Sequence, residues 1–191
     1  MMKLRTLGKT GIQISPIGLG CWQFANGIAV VSNYWGSMDS EQAKEIVDVS
    51  IKGGINWFDT AEIYGFGTSE KILSDSLKAL DQKPGDVVIA TKWFPAMRFA
   101  GSITRTIDTR IKHLGGYPID LHQIHMPFSF SGLDAQMLAM AKLVKDNKIR
   151  SIGVSNFNAA QMRKSHQVLQ EHGLALASNQ VPYSLMNRAI E

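Results

Sequence analysis

The run WFDTAEIYG (57–65) puts an aspartate, Asp59, at the end of an extended segment and a tyrosine, Tyr64, five residues later. Lys92 ends the next extended run in ATKW, and His125 ends the one after it in QIHMP. Four different side chains from three successive segments can therefore converge at one face. A free phenol has a pKa of about 10, too high to give up a proton readily near neutrality. A neighbouring ammonium stabilises phenolate and lowers that value, and an aspartate holds the ammonium charged and in place. A neutral histidine beside the phenol orients a carbonyl oxygen. The set is a general-acid site suited to reducing a carbonyl group. Side chains contain no hydride source, so such a site needs a nicotinamide cofactor.

Taken one at a time, these residues have plainer explanations. A lone strand-end aspartate is more often a helix cap, a lone tyrosine a half-buried ring with a wet hydroxyl, and a lone lysine a snorkelling surface chain. Their combination carries the chemical reading. His122 and His125 differ by three positions, which on a strand places them on opposite faces and argues against a shared metal. The run GFGTSE (65–70) begins like a dinucleotide-binding glycine loop, but its sixth position is Glu70, whose charge would repel a pyrophosphate. Ser69 there reads as a helix cap. The long connection 24–37 contains Asn33, Tyr34 and Trp35, candidates to line a substrate pocket, as are Phe128 and Phe130 after His125. A rival chemistry, a Schiff base on Lys92, is disfavoured by an aspartate that keeps the amine charged.

These side chains need a scaffold. Two short extended segments, 3–7 and 12–17, flank the turn GKTG and read as a β-hairpin. Then runs rich in β-branched and aromatic residues, at 18–22, 55–60, 87–93, 119–125, 150–156 and 177–183, alternate with helical periodicity at 39–52, 69–80, 102–114, 134–147 and 158–172. Asp39 with Gln42, and Asn158 with Gln161, have capping-box spacing. Strand–helix repetition in one direction implies parallel strands, which an open doubly wound sheet and a closed barrel both satisfy. Polar residues recur at successive strand ends (Asp59, Lys92, His125, Ser155, Gln180), the pattern of a (β/α)8 TIM barrel whose site is built at one end. Six strands and five helices fall short of eight and eight, so the expectation is a single, C-terminally incomplete barrel domain over 1–191 that is a fragment or cannot close alone.

Of the 191 residues, 45% are hydrophobic and 19% charged, which excludes intrinsic disorder. The net charge of +4 is spread along the chain, which gives nucleic-acid binding no support. One cysteine, Cys21, permits no internal disulfide. The start lacks an apolar signal core and no run approaches the length of a membrane helix. The expectation is a soluble cytoplasmic protein whose partner is a small molecule, with the oligomeric state open.

The motifs GLGCW, FDTAEIYG, TKW, DLHQIHMP, KIRSIGVSNF (148–157) and SNQVPYS, in this order and spacing, resemble the aldo-keto reductase family along essentially the whole chain. The resemblance implies a barrel capped below by the hairpin and NAD(P)H-dependent reduction of aldehydes or ketones. It implies that Tyr64 is the general acid, that Lys92 and Asp59 tune it and that His125 orients the substrate. It assigns Ser155, Asn156 and Gln180 to the nicotinamide carboxamide. Cys21 and Trp22 would lie beside cofactor and substrate, and Trp35, Trp93 and Phe128 on the substrate side. NADPH is the expected cofactor, with NADH left open, because the family's 2′-phosphate-gripping residues and its nicotinamide-stacking tyrosine follow strands later than the sixth. The alternative is a catalytically inactive truncated chain, or a cofactor-sensing binding module of the same fold.

Overall fold

The structure, a computed structural model, describes residues 2–25 and 38–191. The expected hairpin forms from β1 (Arg5–Thr6) and β2 (Gln13–Ile14), paired antiparallel. There follow β3 (Leu19–Gly20), α1 (Ser40–Lys52), β4 (Trp57–Asp59), α2 (Thr68–Ala79), β5 (Val88–Trp93), α3 (Gly101–His113), β6 (Leu121–Ile124), α4 (Leu133–Lys145), β7 (Ser151–Ser155), α5 (Ala159–Gln170) and β8 (Leu176–Gln180). The six strands β3 to β8 are all parallel and lie side by side in chain order. A doubly wound sheet reverses its strand order at a switch point. This sheet never does, so it is an arc of a (β/α)8 barrel holding six of the eight strands.

Local chemistry explains the element boundaries. Asp39 caps α1 by accepting from Gln42 N at 2.8 Å, while Gln42 Oε1 accepts from Asp39 N at 3.1 Å. Asn158 and Gln161 repeat this reciprocal box at the start of α5, both at 2.9 Å. Each box satisfies two N–H groups that the first turn leaves open. β3 is shorter than its apolar run, because the chain bends at Trp22–Ala25 into a 3-10 turn. β8 ends at Gln180, whose carbonyl still accepts from Asn156 N at 2.9 Å, and Pro182 beyond it has no N–H to extend a ladder.

One expectation fails at the start of α2. Ser69 does not cap it; Gly67, at φ +95°, stands at the cap position with no side-chain bond. The Ser69 hydroxyl is buried instead, donating to Cys21 O at 2.6 Å and meeting Thr60 Oγ1 at 2.8 Å. The serine faces the sheet, and its hydroxyl ties α2 to the ends of β3 and β4.

The core lies between sheet and helices, where Phe58, Ile89, Ile124 and Val154 meet Leu73, Leu77, Ile103 and Met137, all fully buried. Below the strands the hairpin bridges the arc. Ser15 N donates to Asn56 Oδ1 at 2.7 Å and Trp57 Nε1 to Ser15 O at 3.1 Å. At the far side Gly8, at φ +52°, lies so close to β8 that a Cβ would sit 2.4 Å from Ala177 O. The hairpin thus reaches from the foot of β4 to the foot of β8. No helix among the described residues is long and apolar enough to cross a membrane.

Candidate active site

The upper, C-terminal strand ends carry the polar side chains, the end at which such barrels assemble their sites. Asp59 closes β4 and Lys92 lies one residue from the end of β5. Lys92 is 1% exposed; its Nζ donates to Asp59 Oδ2 at 2.6 Å and to Thr60 O at 2.9 Å. Asp59 Oδ2 also accepts from Gln180 Nε2 at 3.0 Å, joining β4 to β8 across the inside of the arc.

Tyr64 stands on a short 3-10 turn, Tyr64–Gly67, that follows the β4 loop. Gly65 holds that turn at φ +62° against Ala25, whose carbonyl oxygen a Cβ would meet at 2.4 Å. The Tyr64 ring lies 6.1 Å from the Trp22 ring and 5.7 Å, edge to face, from His125. Lys92 Nζ is 5.2 Å from the Tyr64 ring centre. The four residues expected to act together are therefore adjacent.

At the ends of β7 and β8, Ser155 Oγ donates to Gln180 O at 3.0 Å. Asn156, at φ +62°, donates its amide to Ser155 Oγ at 3.0 Å and to His125 O at 3.2 Å. Gln123 belongs to the same cluster, its Nε2 lying 3.4 Å from Asp59 Oδ1 and 3.5 Å from Gln180 Oε1. No motif marks Gln123. Its one signal is strand alternation, since it stands two residues before His125 and shares its face.

Other expected positions differ. Trp93, expected on the substrate side, is 1% exposed and turns toward α3, with Nε1 donating to Ser102 Oγ at 3.0 Å and Arg98 over its ring. Lys92 points inward, so its neighbour on the strand must point outward. Cys21 is wholly buried, and burial pushes its thiol far up, so it presents no surface to a ligand and no thiolate. Phe128 is open at 56% exposure. Trp35, with Asn33 and Tyr34, lies outside the described residues.

The electrostatics also depart from expectation at Tyr64. An ammonium was expected to lower the phenol's pKa, yet burial raises it, and the Asp59 charge raises it further. Asp59 and Thr60 O take up the Lys92 ammonium, leaving a nearly neutral pair beside a desolvated ring. His125 is held down to about 4, by burial first and then by Lys92, so it is neutral in ordinary buffers.

Burial likewise holds His113 and His122 down to about 4 and pushes Glu70 up to about 7. Between pH 4 and the ordinary histidine value of 6.5, unfolding lets all three histidines take up protons. Between the ordinary glutamate value of 4.5 and 7, unfolding makes Glu70 release one. Uptake by three histidines exceeds release by Glu70 where the windows overlap, so stability falls as pH drops from 6.5 toward 4.5. Urea midpoints at pH 6.5 and pH 5 check this; an equal or higher midpoint at pH 5 contradicts it.

Among the described residues no group of three or more His, Cys, Asp or Glu could hold a metal ion. A family model described as the aldo/keto reductase family matches residues 16–191. Aldo-keto reductase YhdN of Bacillus subtilis is 32% identical over 198 residues, covering 100% of this chain and 56% of that protein. Uncharacterized oxidoreductase Rv2298 of Mycobacterium tuberculosis is 38% identical over 176 residues, covering 91% of this chain and 51% of that protein. The crystal structure of the thermostable aldo-keto reductase Tm1743 with the inhibitor epalrestat superposes with a TM-score of 0.83 at 29% identity, over 98% of this chain and 65% of that one. The glycerol dehydrogenase of Gluconobacter oxydans superposes with a TM-score of 0.81 at 29% identity, over 98% and 57%. The chain spans about half the length of the curated relatives it matches. With a matched stretch that runs from just after the hairpin to the last residue, the chain belongs to the aldo/keto reductase family.

Proposed function

We propose that this chain carries the proton-donating half of a nicotinamide-dependent carbonyl reductase acting on an aldehyde or ketone. The observation that carries the reading is the contact set of Tyr64, Lys92, Asp59 and His125 at the upper strand ends. Reduced nicotinamide, when bound, supplies the hydride that side chains lack. The residues present fit it. A carboxamide needs both an acceptor and a donor, and the ends of β7 and β8 offer both. The side-chain carbonyl oxygen of Asn156 takes no hydrogen bond among the described residues, while the Gln180 amide, which gives one N–H to Asp59, keeps a second as donor. NADPH is the cofactor we assign, with NADH as its comparison.

Tyr64 gives its hydroxyl proton to the substrate oxygen as that oxygen becomes an alkoxide. An alkoxide is a far stronger base than a phenolate, so the transfer runs downhill even from a phenol made less acidic by burial. Neutral His125 keeps a ring N–H to orient the carbonyl oxygen; its Nδ1 is buried without a partner among the described residues. Lys92 steadies the phenolate left behind, and Asp59 fixes Lys92. Trp22, 40% exposed beside Tyr64, and Phe128 supply apolar surface to the substrate.

The test is cofactor oxidation by the native protein on adding aromatic and aliphatic aldehydes and ketones. We expect NADPH consumption matched by alcohol formation. NADPH binding without turnover of any carbonyl overturns the reading in favour of a cofactor-sensing module.

A further inference from the structure

Behind the site, between α2, α3 and β5, lies a chain of buried charges that the carbonyl chemistry does not use. Glu62 and Glu70, 7% and 0% exposed, bracket Tyr64 in sequence. Glu62 Oε2 accepts from Arg110 Nη1 at 2.8 Å, and Glu70 Oε2 lies 2.9 Å from Arg110 Nε. One guanidinium thus holds a carboxylate on each side of the turn that carries Tyr64. The same two carboxylates grip β5 on each side of Lys92. Glu70 Oε1 accepts from Thr91 Oγ1 at 2.7 Å, and Glu62 Oε1 accepts from Phe94 N at 2.6 Å and from Arg98. Main chain adds a further tie, Glu62 N donating to Lys92 O at 3.1 Å. His113 completes the cluster, its Nδ1 lying 3.1 Å from Arg110 Nη2 and 3.2 Å from Glu70 Oε2.

We infer that Arg110, with Glu62 and Glu70, is a positioning device that sets the Tyr64 hydroxyl against Lys92. A buried ion-pair cluster is a poor source of stability, because desolvation offsets much of its attraction. What it supplies is direction. A planar guanidinium is rigid, so its hydrogen bond to Glu62 and its ion pair with Glu70 keep the two carboxylates at a set separation. Here that separation spans the two ends of the Tyr64 turn, and both ends are also pinned to the strand bearing Lys92. Arg110 touches neither Tyr64 nor Lys92 and acts through the two glutamates. The inference rests on the reductase reading.

Arg110→Lys keeps the charge and loses the rigid plane. It is expected to lower kcat by about 10- to 100-fold, as a misplaced reacting group does, with KM for NADPH and carbonyl within about twofold. In a Tyr64→Phe background the same change should lower the residual rate no further. A second readout needs no turnover. The phenol of Tyr64, followed by 13Cζ-tyrosine NMR and assigned by its loss in Tyr64→Phe, should titrate closer to the ordinary value in Arg110→Lys, because a loosened turn admits water. Equal kcat losses in both backgrounds with an unmoved phenol titration would mean a merely structural role and overturn the inference. So would unchanged kcat and titration in a protein that Tyr64→Phe cripples. An unchanged rate in Tyr64→Phe itself sinks the role of Tyr64 as the acid instead, and the titration still reports on the turn. Should Arg110→Lys fail to fold, Glu62→Gln carries the same test; it keeps the acceptor for Phe94 N and loses the charge toward Arg110.

Discussion

Replacing Tyr64 by phenylalanine is expected to lower NADPH-dependent reduction of an aldehyde by about 10²–10⁴-fold, the usual contribution of a positioned general acid. The change removes one hydroxyl and keeps the ring between Trp22 and His125 over Lys92. The thermal midpoint should therefore hardly move, which separates lost chemistry from lost fold. Burial and the Asp59 charge keep the phenol protonated throughout the physiological range. The wild-type rate should accordingly show no fall assignable to Tyr64 between neutrality and mildly alkaline pH. Stopped-flow absorbance of the cofactor measures both quantities. If Tyr64→Phe turns over at the parent rate, the proton comes from elsewhere. His125 is then the next donor to test, being neutral and edge-on to the same ring.

The second large effect concerns stability. Asp59→Ala is expected to destabilise the fold by about 3–5 kcal/mol, because it leaves the Lys92 ammonium, 1% exposed, without its carboxylate and with Thr60 O as its hydrogen-bond acceptor among the described residues. The amides of Gln180 and Gln123 lose an acceptor in the same step. Lys92→Met should cost less. Its Asp59 carboxylate keeps both amide donors and, at 11% side-chain exposure, some contact with water. The double variant removes both charges together and should be more stable than Asp59→Ala alone, since neighbouring groups in one network are not additive. Urea midpoints of the four proteins at pH 7 complete the cycle. A double variant destabilised by the sum of the singles would show that the buried pair is not energetically coupled.

Much of this protein is legible in its sequence. Strand and helix periods are local, and so are the turns and caps that bound them. Asp39 with Gln42 and Asn158 with Gln161 cap their helices as their spacing requires, and polar residues at successive strand ends marked the face where the side chains gather. Asp59, Tyr64, Lys92 and His125 could be picked out because their types make sense only together. Tertiary structure decided three other matters. Strand order excluded the doubly wound sheet that strand–helix repetition alone also satisfies, in agreement with the barrel the polar strand ends pointed to, because pairing partners such as β7 and β8 are set by packing between elements, not within them. The inward turn of Lys92 sent Trp93 outward, although its neighbours in sequence suggested a pocket. And the direction of the Tyr64 shift, like the partners of Glu62, Glu70 and Gln123, depends on burial and on charges from distant elements. Asp59 meets Gln180 across the arc, and Arg110 on α3 meets carboxylates on both sides of Tyr64. Sequence order carries residue types and local periods. The field at a buried group is a sum over whatever the fold brings near it, and only the folded chain performs that sum.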